Sequence, residues 1–336
     1  MRITALVKSA DHVCCRYRIG AFAPAFAEAG HDLSILPWSS GWFLRQLLSA
    51  RHDIDVLIIQ RKLFQSWQLQ LLRQCARRLV FDFDDAIFLH SSYNADGFDA
   101  PKRLERFKEM MQQADAVVAG NDFLREHAER WTSSAKVHHI PTCVMTQRYP
   151  LAQHERRDRT TLAWIGSSST LRGLERISDT LNQLGRRLPT LRLKVICDRS
   201  ISLSDLSVEF QPWSDATETT QLASADIGIS WLPDDGWSAG KCGLKVLQYM
   251  AAGLPVVANP VGMQRTLVRH GETGFLAETP DEWEDAVCML ANSPELRTQM
   301  GQAGRRLVES AYDVSHGAAA WQHVMTSLAP ASLILM

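Results

Sequence analysis

The chain reads as an α/β protein made of two doubly wound, Rossmann-like domains with parallel sheets. Three observations predict this. Short, continuous apolar runs, the pattern of strands buried on both faces, recur from end to end. Helical stretches separate the runs, as crossovers between parallel strands require. A chain of 336 residues suffices for about two domains of ~150 residues each.

In order, the first series of strand-like runs covers 3–7, 32–36, 56–60, 79–83, 116–119 and 137–140. The second covers 161–165, 191–197, 227–231 and 255–258. Helices are expected at 21–30, 67–78 and 100–114 in the first series, and at 172–187, 243–252, 280–291 and 294–312 in the second. Gly30 and Gly253 stand where a left-handed cap ends a helix. The polar segment 153–160 places the linker, so the domains are expected at 1–152 and 153–312. A final helix within 313–336 is expected to cross back to the first domain.

Composition narrows the function. With 46% apolar and 22% charged residues the chain is globular, and 36 basic against 37 acidic side chains give a net charge of -1. A general nucleic-acid binder would carry a basic excess, so none is expected as a partner. The charge is uneven: 19 basic and 16 acidic residues precede position 151, and 17 and 21 follow. Phosphate bound by the acidic half must therefore be held by local cations and helix ends. Seven scattered cysteines without a C-x-x-C pair favour a reducing compartment over a zinc or disulfide framework. No apolar run reaches the ~18 residues of a membrane span, and the start lacks a secretory leader, so a cytoplasmic location is expected. Trp42, Phe43, Leu44, Leu47 and Leu48, and Phe64, Trp67, Leu71 and Leu72 beside Arg73, Arg77 and Arg78, form basic amphipathic faces. Such faces either rest on the inner surface of a membrane, a peripheral contact through the first domain, or pack on a core with an exposed arginine edge.

Ligands of open α/β sheets bind at the carboxyl ends of strands. In Trp164-Ile-Gly-Ser-Ser-Ser-Thr-Leu-Arg-Gly173, an apolar strand runs through a Gly/Ser turn into a helix. Gly166, Ser167 and Ser168 there suit a phosphate, with Arg172 one turn further on. A serine-capped turn without a ligand is the alternative. A second segment runs Gly240-Lys-Cys-Gly-Leu-Lys-Val-Leu-Gln-Tyr-Met-Ala-Ala-Gly-Leu-Pro-Val-Val-Ala258. Its glycine-spaced helix start carries Lys241 and Lys245, which are four apart and so expected on one helix face with Gln248 near the same side, and it offers free N–H groups. A solvated lysine stripe is the bland reading.

This segment, followed by Asn259-Pro-Val-Gly262 and His270-Gly-Glu-Thr-Gly-Phe-Leu-Ala277, resembles the donor-binding half of retaining glycosyltransferases of the GT-B fold, family 4. Those proteins carry glutamates where Gly240 and Gln248 stand, the first on the donor sugar and the second on the ribose. Glutamine can still pair with ribose hydroxyls. Glycine has no carboxylate, so the sugar contact would come from Asp234, Asp235 or Lys241. The resemblance implies two domains facing a cleft, a nucleoside-diphosphate-sugar co-substrate, and no metal or other cofactor. It assigns Gly166, Ser167, Ser168, Arg172, Gly240, Lys241, Cys242, Gly243, Leu244, Lys245 and Gln248 to the donor.

In the first domain Leu79-Val-Phe-Asp-Phe-Asp-Asp-Ala-Ile-Phe88 sets three carboxylates at a strand end. Asp82, Asp84 and Asp85, with Lys241, are the expected catalytic groups, the aspartates orienting an acceptor. Other readings are a metal-binding D-x-D, a haloacid dehalogenase-like phosphatase with Asp82 as nucleophile and Asp84 as acid, or ion pairing with nearby arginines. Arg16, Arg18, Arg61 and Asn121 line neighbouring strand ends and are expected on the acceptor side. Together these features predict transfer of a sugar, with retention, to a saccharide or lipid-linked acceptor in cell-surface polysaccharide or glycolipid synthesis. A non-catalytic sugar-nucleotide-binding protein is the other alternative.

Overall fold

The computed structural model describes residues 1–39, 43–49, 53–94 and 97–329, which form two compact units. The first unit contains 1–143, 235–242 and the chain from 314 onward; the second contains 144–234 and 243–313. The first unit's strands are β1 (Arg2–Val7), β2 (Asp32–Pro37), β3 (Val56–Gln60), β4 (Arg78–Phe83), β5 (Ala116–Ala119) and β6 (Val137–His139). Its helices up to this point are α1 (Val13–Arg18), α2 (Ala23–Glu28), α3 (Phe43–Ser49), α4 (Ser66–Gln74), α5 (Pro101–Gln113) and α6 (Asp122–Glu129). The second unit has β7 (Thr160–Ile165), β8 (Leu191–Cys197), β9 (Ser207–Pro212), β10 (Ile227–Ser230), β11 (Val256–Ala258) and β12 (Gly274–Leu276). Its helices are α7 (Ser168–Arg176), α8 (Ser178–Arg187) and α9 (Glu218–Ala223), then, after α10 (Gly236–Ala239) of the first unit, α11 (Leu244–Ala251), α12 (Met263–Leu267), α13 (Pro280–Asn292) and α14 (Pro294–Ala311). The last helix, α15 (Val314–Leu328), is in the first unit.

Both sheets are parallel and six-stranded, in the orders β2-β1-β3-β4-β5-β6 and β12-β11-β10-β7-β8-β9. This is the doubly wound architecture that the apolar runs predict. Each sheet has a switch point where strand order reverses, between β1 and β3 in one and between β7 and β10 in the other, the place where such sheets bind ligands.

Strand alternation divides the first unit's core. Leu57, Ile59, Leu79, Phe81 and Phe83 pack with Leu69, Leu72, Phe107 and Met110 on one face. Val56, Ile58 and Val80 pack with Phe22, Phe26, Trp321 and Val324 on the other. Trp321 brings α15 onto this second face, its ring centroid 5.9 Å from Phe26 in an edge-on contact. The second unit's core is Leu162, Trp164, Leu193, Val195 and Ile229 with Leu174, Leu181, Trp283 and Val287.

Several differences from the expected elements have local causes. β9 is an exposed edge strand that alternates polar residues, and β12 has only three residues, so neither shows as an apolar run. The expected helix 172–187 is two helices joined at Ile177, and the first of them starts at Ser168. Gly30 and Gly253 have left-handed φ values of 72° and 73°, as a glycine stop requires. Residues 144–152 join the second unit rather than the first: Val144 N donates to Tyr312 O at 2.9 Å, and Thr146 N and Oγ1 donate to Asp313 Oδ2 at 3.1 and 2.6 Å.

Among the described residues no helix is long and apolar enough to cross a membrane. Trp42 lies outside the described residues. Leu47, Phe64, Leu69 and Leu72 are buried, and Phe43 and Leu44 pack against them, so the apolar side of these helices is core. Leu48 and Trp67 are its exposed members, at 40% and 54%.

Candidate functional site

In the first unit, strand alternation decides the fate of the three aspartates. Phe81 and Phe83 enter one core face, and Asp82 points to the other, where it is fully buried. There Arg18, from the last turn of α1, donates from Nε to Asp82 Oδ1 and Oδ2 at 3.0 and 3.2 Å, and from Nη2 to Oδ1 at 2.5 Å. Its Nη1 donates to Ile140 O at 2.8 Å. Burial works against the guanidinium's charge, but Asp82 more than compensates and raises its pKa. Arg18 and Asp82 are thus each other's partner. Neither has surface to offer an acceptor, which corrects the expected role of both. The same geometry removes Asp82 as a phosphatase nucleophile, because both its oxygens sit on a buried guanidinium.

Asp84 and Asp85 follow the strand and are less deeply enclosed than Asp82, Asp84 half-buried and Asp85 buried, with side chains 14% and 10% exposed. Arg61 joins them from the end of β3. Its backbone is left-handed, with φ of 59°, an uncommon conformation for a side-chain-bearing residue, and its N–H donates to Asp82 O at 2.8 Å. The turn aims the guanidinium so that Nε lies 3.3 Å from Asp84 Oδ1, while Nη2 donates to Asp85 Oδ2 and Nη1 to Cys14 Sγ. Burial pushes Asp84 toward its neutral form, but Arg61 above all, then Arg18, holds its carboxyl below the ordinary range. Burial, and next Asp84, push the Cys14 thiol up to about 12, so it stays protonated.

Lys241 completes this cluster. Its Nζ is 3.0 Å from Asp85 Oδ1 and 3.5 Å from the centroid of the Trp237 ring. The expectation that Lys241 and Lys245 share a helix face fails, because α11 starts only at Leu244. Gly243, in a left-handed conformation with φ of 71°, stops the helix from running back to Lys241. Residues 235–242 instead pack within the first unit. Asp235 caps α10 by accepting from Ser238 N at 2.8 Å, and it also accepts from Ser92 Oγ at 3.0 Å. Asn121, 2% exposed, caps α6 through Leu124 N and donates from Nδ2 to Ala239 O and Lys241 O at 3.1 and 3.3 Å. Asn121 is thus committed to holding this segment. A Cβ on Gly240 would lie 2.6 Å from Ala86 N, and one on Gly120 would lie 2.5 Å from Cys242 Sγ. The Ala86 backbone requires glycine at 240, and the sulfur of Cys242, which is buried in the first core, crowds position 120. Gly240, Lys241 and Cys242 therefore stand with the carboxylates within the first unit. Arg16 sits over the Tyr17 ring at 5.3 Å.

In the second unit the strand-to-helix loop is built as a cradle. Ser167 N donates to Thr170 Oγ1 at 3.2 Å in a capping box, and Ser168 N donates to Asp198 Oδ1 at 2.6 Å. A Cβ on Gly166 would lie 2.6 Å from the Trp164 ring. Lys245, in the first turn of α11, donates to Thr170 Oγ1 at 3.2 Å and lies 4.7 Å over the Trp164 ring. The structure thus brings Gly166, Ser167, Ser168 and Lys245 together from two distant segments. Leu244 opens α11, whose start has no side-chain cap, and Arg172 is exposed on α7. Gln248 is 4% exposed and donates from Nε2 to Tyr149 OH at 3.3 Å. Asp198 and Trp164 are not among the expected residues. Asp198 was findable, since it directly follows β8 on the same carboxyl edge, and hydrogen bonds from Ser168 hold its carboxyl below the ordinary range. Among the described residues no three His, Cys, Asp or Glu side chains converge as a metal site.

With two such sheets and these strand-end loops, the fold is the GT-B fold of glycosyltransferases. It superposes on sucrose-phosphate synthase from Thermosynechococcus elongatus with a TM-score of 0.78 at 16% identity, over 98% of this chain and 99% of that one. Against Anabaena HepE, solved in complex with UDP and glucose, the TM-score is 0.69 at 13% identity, over 97% and 100%. Residues 159–293, which span the Gly166 loop and α11, match the family described as glycosyl transferases group 1. Among curated proteins, the GDP-Man:Man(3)GlcNAc(2)-PP-Dol alpha-1,2-mannosyltransferase of Dictyostelium discoideum is 33% identical over 100 residues, 29% of this chain and 19% of that protein. D-inositol 3-phosphate glycosyltransferase of Corynebacterium glutamicum is 39% identical over 62 residues, 18% and 15%. The chain therefore spans less than a fifth of the length of either relative.

Proposed function

We propose that the protein is a retaining GT-B glycosyltransferase of the family 4 type. It moves a sugar from a nucleoside-diphosphate-sugar to a saccharide or lipid-linked acceptor, in the cytoplasm, in synthesis of a cell-surface polysaccharide or glycolipid, and needs no metal or other cofactor. The observation that carries this is Lys245, placed over Trp164 and against Thr170 at the Gly166 loop, inside the segment that matches the glycosyl transferase family.

A diphosphate on this loop would receive Lys245 and the first-turn N–H groups of α11. Both are fixed before reaction and so stabilise charge as the diphosphate leaves. The departing phosphate would take the acceptor proton. Gln248 beside Tyr149 would hold the ribose. On the first unit, Asp84 and Asp85 would orient acceptor hydroxyls, with Arg61 above all holding Asp84 below the ordinary carboxylate range; Lys241, 3.0 Å from Asp85 Oδ1, acts here as a positioning residue for Asp85.

A second reading, a sugar-nucleotide-binding protein without transfer, has one observation in its favour: the packing at Gly240 leaves no room for the carboxylate found there in family 4. Thermal shifts with uridine, guanosine, adenosine and cytidine diphosphate sugars, followed by transfer assays with and without chelator, decide the matter. The expected result is that one base raises Tm, that Lys245→Ala loses the shift, and that transfer survives chelation. If no nucleotide raises Tm, both readings fail. Strong binding without transfer to any acceptor pool establishes the second.

A further inference from the structure

A cavity of about 320 Å³ lies among residues that follow β2 and β3 in the first unit, and neither the ion cluster nor the donor loop uses it. Trp38, Phe43 and Phe64 line it, the two phenylalanine rings 5.8 Å apart. Two cations also line it: Lys62, whose Nζ is 4.4 Å over the Trp38 ring, and Arg106 from α5. Among the described residues no carboxylate is in the lining and neither cation has an ion-pair partner. Burial, and next the like charge of Arg106, lower the pKa of Lys62.

The remaining polar groups are of one kind. Gln65 Oε1 accepts from Trp67 Nε1 at 2.9 Å, and Gln68 Oε1 accepts from Gln65 N at 3.1 Å, so both amide oxygens are already engaged. Trp38 Nε1 is buried and has no acceptor among the described residues. The side-chain hydrogen-bonding capacity left in this aromatic cavity is therefore dominated by donors, two of them charged and mutually repelling. Such a lining is satisfied by an acceptor-rich anion and rejects a cation. The left-handed turn at Arg61 lets consecutive residues serve different places, Arg61 on Asp84 and Asp85 and Lys62 on this cavity.

We propose that the cavity binds an anionic saccharide, with its phosphate or carboxylate on Lys62 and Arg106 and its ring against the aromatic wall. Calling that saccharide the acceptor rests on the glycosyltransferase reading above; the binding itself does not. Isothermal titration with glucose 6-phosphate, glucuronic acid, glucose and inorganic phosphate tests it, using the full chain without nucleotide. At least one acidic sugar is expected to bind about tenfold more tightly than glucose and than phosphate alone, and to weaken with salt. Comparing the two acids tells phosphate from carboxylate. Lys62→Gln and Arg106→Gln are each expected to lose about tenfold of that affinity while keeping wild-type melting, and Trp38→Phe to lose less.

Glucose binding as tightly as both acids, phosphate alone matching the sugar phosphate, unchanged affinity in both cation variants, or no binding at all would each overturn the proposal. If an acidic sugar binds in this way but no nucleotide diphosphate raises Tm, the cavity assignment stands and the transferase reading falls.

Discussion

Gly240 shows how one position can carry two constraints. The resemblance to family 4 implies a carboxylate there, but here the backbone of Ala86 occupies the space a side chain would need. Restoring the carboxylate by Gly240→Glu should therefore destabilise the fold by about 1–3 kcal/mol, as overpacking does, without improving donor binding. Thermal unfolding with and without nucleotide checks both halves. Asp82 and Asp84 separate in the same manner. Removing one member of the buried Arg18–Asp82 pair, as in Asp82→Asn, should cost about 3–5 kcal/mol, measured by denaturant unfolding. Asp84 behaves differently because its folded pKa lies below its ordinary value of 3.8. Its contribution to stability is complete above that value and disappears as pH falls through the lower folded one. Melting curves between about pH 7 and about pH 3 should accordingly fall less steeply for Asp84→Asn than for the wild type. An equal acid dependence in the two proteins would contradict the charge arrangement at Arg61.

At the scale of the element, α15 is the clearest case. It follows a strand-rich chain by a long interval and covers the first sheet through Trp321, Val324 and Met325. Trp321→Ala should cost about 3–5 kcal/mol in chemical denaturation, since it opens a cavity against Phe22 and Phe26. A final helix is expected from the sequence within 313–336, and the strands of both sheet centres are legible because they are apolar on both faces. β9 and β12 were not, one being polar and exposed, the other too short to show a period. The start of α11 was misread for a related reason. A spacing of four between Lys241 and Lys245 means a shared face only if the backbone is helical throughout, and a left-handed glycine between them ends that condition.

For the whole molecule, the division into units does not follow the order of the chain. Residues 235–242 and 314 onward belong to the first unit although its sheet is complete by His139. A chain shortened after Asp313 should consequently lose the fold of its first unit, while a nucleotide that binds the second still raises that unit's melting transition. Calorimetry on the shortened and full chains, with and without the nucleotide that binds, reads both effects; full retention of both transitions would contradict this account. The α/β class, the parallel sheets and the Gly/Ser and Gly/Lys loops follow from local periodicity and residue type, so they are readable along the chain. Which charges meet does not follow from them. Arg18 finds Asp82 across 64 positions and Lys241 finds Asp85 across 156, because strand order and the path of one short segment set those distances. A side chain's neighbours at such range are properties of the packed backbone, and only the tertiary structure decides which aspartate is sealed in the core and which keeps partial exposure.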